Sequence, residues 1–184
     1  LEKWITGEEK EAKSSFRVVW GQPGMGKTCL STDILNRHAS RIAAVHFFDF
    51  CSPNIDQNDP CSVILSLAFQ MCSFFPNYHN VLPKPEELEQ LVGDRNMRDL
   101  WQNLILDPLN SPALDHSGRN SLILLDSLEE CDLQDRDLFY EFLNDFHDTT
   151  PSWIQLLVTT SDDNQIRSQM EAAYSVELKN SPDN

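Results

Sequence analysis

The chain has little positive charge. Fourteen lysines and arginines stand against 29 aspartates and glutamates in 184 residues, a formal net charge of −15, which repels the phosphate backbone of nucleic acid unless the bases are concentrated in one place. They are not: Lys3, Lys10, Lys13 and Arg17 are interleaved with Glu8, Glu9 and Glu11, the pattern of a solvated helix face. Nucleic acid and anionic membrane are therefore not expected partners of this stretch. No apolar run approaches the ~20 residues that span a bilayer, and no basic-then-apolar signal peptide opens the chain. The sequence starts at Leu1 without a methionine, so it reads as a piece of a longer protein.

Other absences narrow the chemistry. The five cysteines, Cys29, Cys51, Cys61, Cys72 and Cys131, are odd in number and form no C-x-x-C pair. That argues against a zinc site and a disulfide framework and fits a reducing, cytoplasmic compartment. His38, His46, His79, His116 and His147 lie on separate segments without ligand spacing. No G-x-S-x-G elbow or cysteine-nucleophile signature supports covalent catalysis. After Ser121 the only arginines are Arg136 and Arg167, which leaves a small-molecule phosphotransferase without its basic lid. There is no internal repeat.

What remains is ordinary globular material, 40% hydrophobic and 23% charged, of a length suited to one α/β domain. Residues 1–15 form a polar lead-in, a helix or turn with one apolar pair, Trp4 and Ile5. Phe16 to Trp20, FRVVW, reads as a short buried strand. Glycines follow, then a helical pattern from Lys27 to about Ala39 with Leu30, Ile34 and Leu35 on its apolar stripe. RIAAVHFFDF, Arg41 to Phe50, is a second buried strand, with Phe47, Phe48 and Phe50 as its aromatic cluster. CSVILSLAFQMCSFF is a helix with Val63, Leu67, Met71 and Phe74 on one face. PEELEQLV and MRDLWQNLILDPL predict two helices, the second stopped by Pro108.

SLILLD, Ser121 to Asp126, is the clearest buried strand and ends in a carboxylate. DLFYEFLNDF predicts a helix, WIQLLVTT a strand, NQIRSQMEAA a short helix and YSVELK a last strand before the polar end SPDN. Trp20, Trp101 and Trp153 belong to the apolar core. Strands alternating with helices imply a parallel sheet with crossover helices.

Between the first strand and its helix lies GQPGMGKT. Gly21, Gly26, Lys27 and Thr28 complete the phosphate-loop pattern G-x-x-x-x-G-K-(S/T), in the strand-before, helix-after context it requires. Glycine is needed there because the backbone must curl until successive N–H groups face phosphate oxygens. Gln22, Pro23, Gly24 and Met25 fill the loop, Pro23 stiffening its first half and Gly24 adding a third permissive position. Lys27 supplies a point charge for the β and γ phosphates, and the helix N-terminus through Cys29 adds its partial positive charge. Thr28 offers a hydroxyl to magnesium.

Asp126, at the carboxyl end of its strand, is placed to hold that ion directly or through water. Just beyond it, Glu130 first and Glu129 next are candidates to activate the attacking water, with Lys27 completing the catalytic set. The expected ligand is ATP, or another nucleoside triphosphate, with Mg2+. Together with the strand order of the chain, this predicts the three-layer α/β/α sandwich of a P-loop NTPase with about five strands.

Beyond the loop, Asp126 followed by the small Ser127 and then acids resembles the NACHT-type signal-transduction (STAND) NTPases. The run LWQNLILDPL, NSLILLDSLEEC, PSWIQLLVTT, and VHFF followed by SLAFQM, is similar to the ATPase domains of animal and fungal ankyrin- or WD-repeat scaffolds. The resemblance implies one NACHT-like nucleotide-binding domain over 1–184, cut from a multidomain protein. It also implies a slow ATPase switch whose partners are ATP or ADP, other domains of the same chain, and protein partners or further copies of itself. His46 resembles the histidine of the family's second strand, with a packing or hydrogen-bonding role. The family usually carries an arginine after the threonine-serine of its later strand, whereas Thr159, Thr160 and Ser161 here lead into Asp162 and Asp163. Thr159 or Thr160 is left as a polar sensor, and a degenerate binding or interaction module with little hydrolysis is the alternative.

Overall fold

The computed structural model describes residues 1–9, 14–132, 134, 136–170 and 173–178. Expectations for Lys10, Glu11, Lys13, for Glu171 and Ala172 in the helix predicted over NQIRSQMEAA, for Lys179 at the end of the last predicted strand, and for the polar end 181–184 lie outside the described residues.

In chain order the elements are α1 Glu2–Ile5, β1 Phe16–Trp20, α2 Lys27–His38, β2 Ile42–Phe47, α3 Pro60–Phe74, α4 Pro85–Asp94 and α5 Met97–Trp101. A π-helical segment Gln102–Leu106 joins α5 to α6 Asp107–Asn110. Then come β3 Ser121–Asp126, α7 Arg136–Asn144, α8 Phe146–Thr149, β4 Ile154–Thr160, α9 Asn164–Gln169 and β5 Tyr174–Glu177. The five strands form one parallel sheet in the order β2-β3-β4-β1-β5. This is the predicted α/β architecture.

Parallel strands need crossovers that cover both faces, which is why β1, β3 and β4 are buried at every position. Alternate residues point to opposite sides. Ile123, Leu125, Leu156 and Val158 pack with α3, α5, α7 and α9 in the larger core. Leu122, Leu124, Leu157 and Val19 pack with Ile34 of α2 and, from the lead-in, with Trp4 and Ile5. The lead-in is thus part of the core: α2 alone leaves that face of the sheet open, and Trp4 and Ile5, each 1% exposed, close it. Trp4 Nε1 donates to Ser14 O and Gln155 Nε2 donates to Trp4 O.

Arg17 also departs from the solvated face expected for it. It lies on β1, buried, its guanidinium donating to both oxygens of Glu9 at 2.8 Å between the Trp4 and Tyr174 rings. A planar guanidinium tolerates burial when a carboxylate and aromatic faces meet it.

Pro108 does not stop its helix. The helix widens into the π-turn at Gln102–Leu106 and continues to Asn110. The proline lacks the N–H that would bond the Leu104 carbonyl four residues back, and the buried Tyr78 hydroxyl donates to that carbonyl at 2.8 Å instead. The second strand is shorter than predicted, ending at Phe47, and Phe50 is 80% exposed on the following loop rather than part of a buried cluster. His46, at the end of β2, donates from Nε2 to Gln57 O at 2.7 Å and meets the Phe48 ring edge-on. Among the described residues no helix is long and apolar enough to cross a membrane.

Two outcomes follow from these contacts. Tyr78→Phe strands the buried Leu104 carbonyl and lowers unfolding free energy by about 1–3 kcal/mol in urea titration. Burial holds the His46 pKa below its ordinary 6.5, so the unfolded chain takes up the proton first. Its share of stability is present above pH 6.5 and fades as pH falls from there toward the lowered folded value. Urea unfolding of His46→Gln therefore depends less on pH than that of the wild type across this window.

Candidate functional site

The site sits at the carboxyl ends of β1, β4 and β3. Because β4 lies between the other two, the end of the loop-bearing strand, Trp20, is in register with Thr160, and Asp126 ends the strand on the far side of β4. Gly21 N donates to Thr160 O, so the glycine loop springs directly from the sheet.

Within the loop, Met25 N donates to Gln22 O, and Gly24 has φ +81°, the geometry of a type II turn with Pro23 at its first corner. Gly26, φ +85°, is the N-cap of α2 and offers no side-chain cap. The first-turn N–H groups of a helix have no partner within it, and among the described residues no side chain caps them. A Cβ at Gly24 or Gly26 would meet nothing within 4 Å; their requirement is the left-handed backbone. Gly21 has a different reason: a Cβ there would come within 3.2 Å of Leu178 and 3.4 Å of the Lys27 stem.

Lys27 is only 7% exposed. Its Nζ donates to Gly21 O at 2.9 Å and lies 3.3 Å from Glu129 Oε1. Glu129 Oε2 is buried without a hydrogen-bond partner. Glu130 is turned the other way, its Oε2 accepting from Phe50 N at 2.6 Å. Asn58 stitches that loop down, exchanging bonds with Asp49 and accepting at its carbonyl from Asp132 N.

Asp126, 1% exposed, gathers four hydroxyls. Thr28 donates to Oδ2 at 2.7 Å and Ser127 to the same oxygen at 3.2 Å; Ser31 donates to Oδ1 at 2.5 Å and Thr159 to Oδ1 at 2.7 Å. Ser127 takes the left-handed conformation, φ 62°, and its N–H donates to Thr159 Oγ1. Thr159 is thereby committed to Asp126 instead of being a free sensor. Thr160 alternates to the other face of the sheet, and its buried hydroxyl has no partner there.

A cavity of about 520 Å³ opens over these groups. Pro23, Gly24, Gly26, Lys27, Thr28 and Cys29 line one side; Ser127, Glu129, Glu130 and Ser161 line the other. Gly21, Gln22 and Met25 shape the loop from outside that lining, and Asp126 and Thr159 lie beneath it. The residues fit a magnesium-bound triphosphate: an uncapped helix N-terminus, a buried ammonium whose carboxylate partner has a vacant oxygen, and a hydroxyl, Thr28, polarised by a carboxylate.

Just beyond β4, Asp162 binds Arg167 Nε at 2.5 Å, and the arginine holds the Asp162 carboxyl below the usual carboxylate range. Arg167 also reaches Glu177 and lies over the Trp20 ring. Sequence reasoning missed Ser31 and Arg167. Ser31 had a signal, a hydroxyl between Lys27 and Ile34 on the buried face of α2; Arg167 had none.

This fold and glycine loop define the class: a P-loop NTPase fold. The chain belongs to the family described as Nephrocystin 3, N-terminal, which matches residues 1–161. No curated protein matches it in sequence. Among solved structures it is similar to Cdc6p from Pyrobaculum aerophilum, with TM-score 0.52 and 15% identity over 96% of this chain and 43% of that one. A DNA replication initiation factor is 12% identical, with TM-score 0.42 over 96% of this chain and 44% of that one, a likeness that carries no argument. The chain thus spans less than half the length of either structure.

Gly26→Ala imposes a left-handed alanine without a clash, and should lower stability by about 1–2 kcal/mol in urea unfolding.

Proposed function

We propose that this chain binds ATP with magnesium at the Gly21–Thr28 loop and acts as a slow regulatory ATPase switch within a signalling or scaffold protein, the NACHT-like role that Ser127 and PSWIQLLVTT suggest. The observation that carries the reading is Lys27: a buried ammonium held at the loop mouth by Gly21 O and Glu129, beside Thr28 hydrogen-bonded to Asp126.

In this reading the loop N–H groups and Lys27 bind the phosphates. The ammonium exchanges its contact with Glu129 for phosphate oxygens, which frees that carboxylate. Thr28 donates its proton to Asp126 and turns its oxygen lone pairs outward toward the metal. With its four hydroxyl donors, Asp126 serves chiefly through Thr28 and water. Magnesium, when bound, neutralises charge on the β and γ oxygens. Glu129, which lines the cavity and gives up its contact with Lys27, accepts the proton of the attacking water; Glu130, bonded to Phe50 N, anchors the neighbouring loop. This reverses the order expected from sequence. ATP is favoured over other nucleotides by the family resemblance alone.

A second reading, a nucleotide-holding interaction module with little hydrolysis, is favoured by Asp162 and Asp163 in place of the expected arginine and by the pairing of Arg167. In either reading the partners are other domains of the same chain and other proteins. The acidic charge argues against nucleic acid.

Phosphate release separates the two. Glu129→Gln should lower turnover by about 100-fold or more while ATP binding persists, Glu130→Gln should lower it far less, and Lys27→Ala should abolish it. Turnover absent in the wild type, or unchanged by Glu129→Gln and Lys27→Ala, overturns the switch and leaves the interaction module.

A further inference from the structure

We propose that Ser31 is a positioning residue for the magnesium site: its buried hydroxyl locks the Asp126 carboxylate so that only Oδ2 is turned toward Thr28 and the cavity. The inference rests on the reading of Thr28 and Asp126 as the metal-holding pair.

Ser31 stands three residues after Thr28, so the two hydroxyls share one face of α2, a turn apart. They grip opposite oxygens of one carboxylate, Thr28 on Oδ2 and Ser31 on Oδ1. Two contacts from a single helix fix the carboxylate plane as neither does alone. Thr159 reinforces Oδ1 from the sheet, and because its oxygen already accepts the Ser127 N–H, its own proton is left to point at Asp126.

The four hydroxyls fall into two classes. Thr28 and Ser127, both on Oδ2, border the cavity, whereas Ser31 and Thr159, both on Oδ1, are each 0% exposed. Nothing entering the cavity can displace the buried pair. Oδ1 is thus permanently filled, and Oδ2 alone acts on the metal side, keeping the Thr28 proton on Asp126 and its lone pairs outward. Without Ser31, Oδ1 retains one donor and the carboxylate gains freedom to rotate away from Thr28. Loss of such an outer hydrogen bond typically weakens metal binding by ~10–100-fold.

The test is calorimetric titration of the intact chain with ATP in magnesium and in EDTA, using wild type, Ser31→Ala and Ser31→Thr. We expect the gain in ATP affinity from magnesium to shrink about tenfold in Ser31→Ala, the affinity in EDTA to stay unchanged, and Ser31→Thr to restore the gain. If Ser31→Ala does not fold, Ser31→Cys, of similar size with a weak donor, carries the same measurement and should lose part of the gain. An undiminished magnesium gain, or equal losses with and without magnesium, overturns the positioning role. A wild type that binds ATP with no magnesium gain overturns the metal reading, and the inference falls with it.

Discussion

Everything at the carboxyl edge of the sheet is arranged around one buried charge. An ionised carboxylate removed from water without partners costs several kcal/mol or more, and Asp126 avoids that through four hydroxyls drawn from three parts of the chain. Thr28 and Ser31 require α2 to begin at the loop and lie flat against the sheet. Thr159 requires β4 to run between β1 and β3. Ser127 requires a left-handed turn directly after β3. Sheet order, loop position and turn conformation are therefore jointly constrained by the same carboxylate.

The second constraint is the scarcity of positive charge. In a chain of net charge −15, the one cationic side chain lining the cavity among the described residues is the buried Lys27, held beside Glu129. Arg167 lies against Trp20, the residue before Gly21, yet two carboxylates hold it. Under the proposed reading, the site is better equipped to hold a triphosphate than to stabilise charge leaving it.

The sheet was largely legible in the sequence because β1, β3 and β4 each carry a run of adjacent apolar residues, Val18–Trp20, Leu122–Leu125 and Leu156–Val158, the mark of strands covered on both faces. The loop was legible because its glycines and lysine serve local geometry. What escaped depends on distant contacts. Trp4 and Ile5 become core only because one face of the sheet needs covering. Arg17 is buried only because Glu9 and two rings meet it. Pro108 stays inside a helix because Tyr78, 30 residues earlier, donates to the buried Leu104 carbonyl that the proline cannot bond. Phe47 and Phe50 look alike in sequence, but the strand ends between them. Sequence alone ranks Glu130 ahead of Glu129 because spacing does not show their partners: on the 3₁₀ turn at Leu128–Glu130, Glu129 meets Lys27 and Glu130 accepts from Phe50 N.

The central claim is that the loop from Gly21 to Thr28 holds a nucleotide. Calorimetric titration of this chain with ATP, ADP and GTP, each with and without magnesium, tests it most directly. The account predicts one nucleotide per chain, with ATP bound more tightly when magnesium is present. No binding heat from any of the three nucleotides, under conditions where the chain is folded, would contradict it.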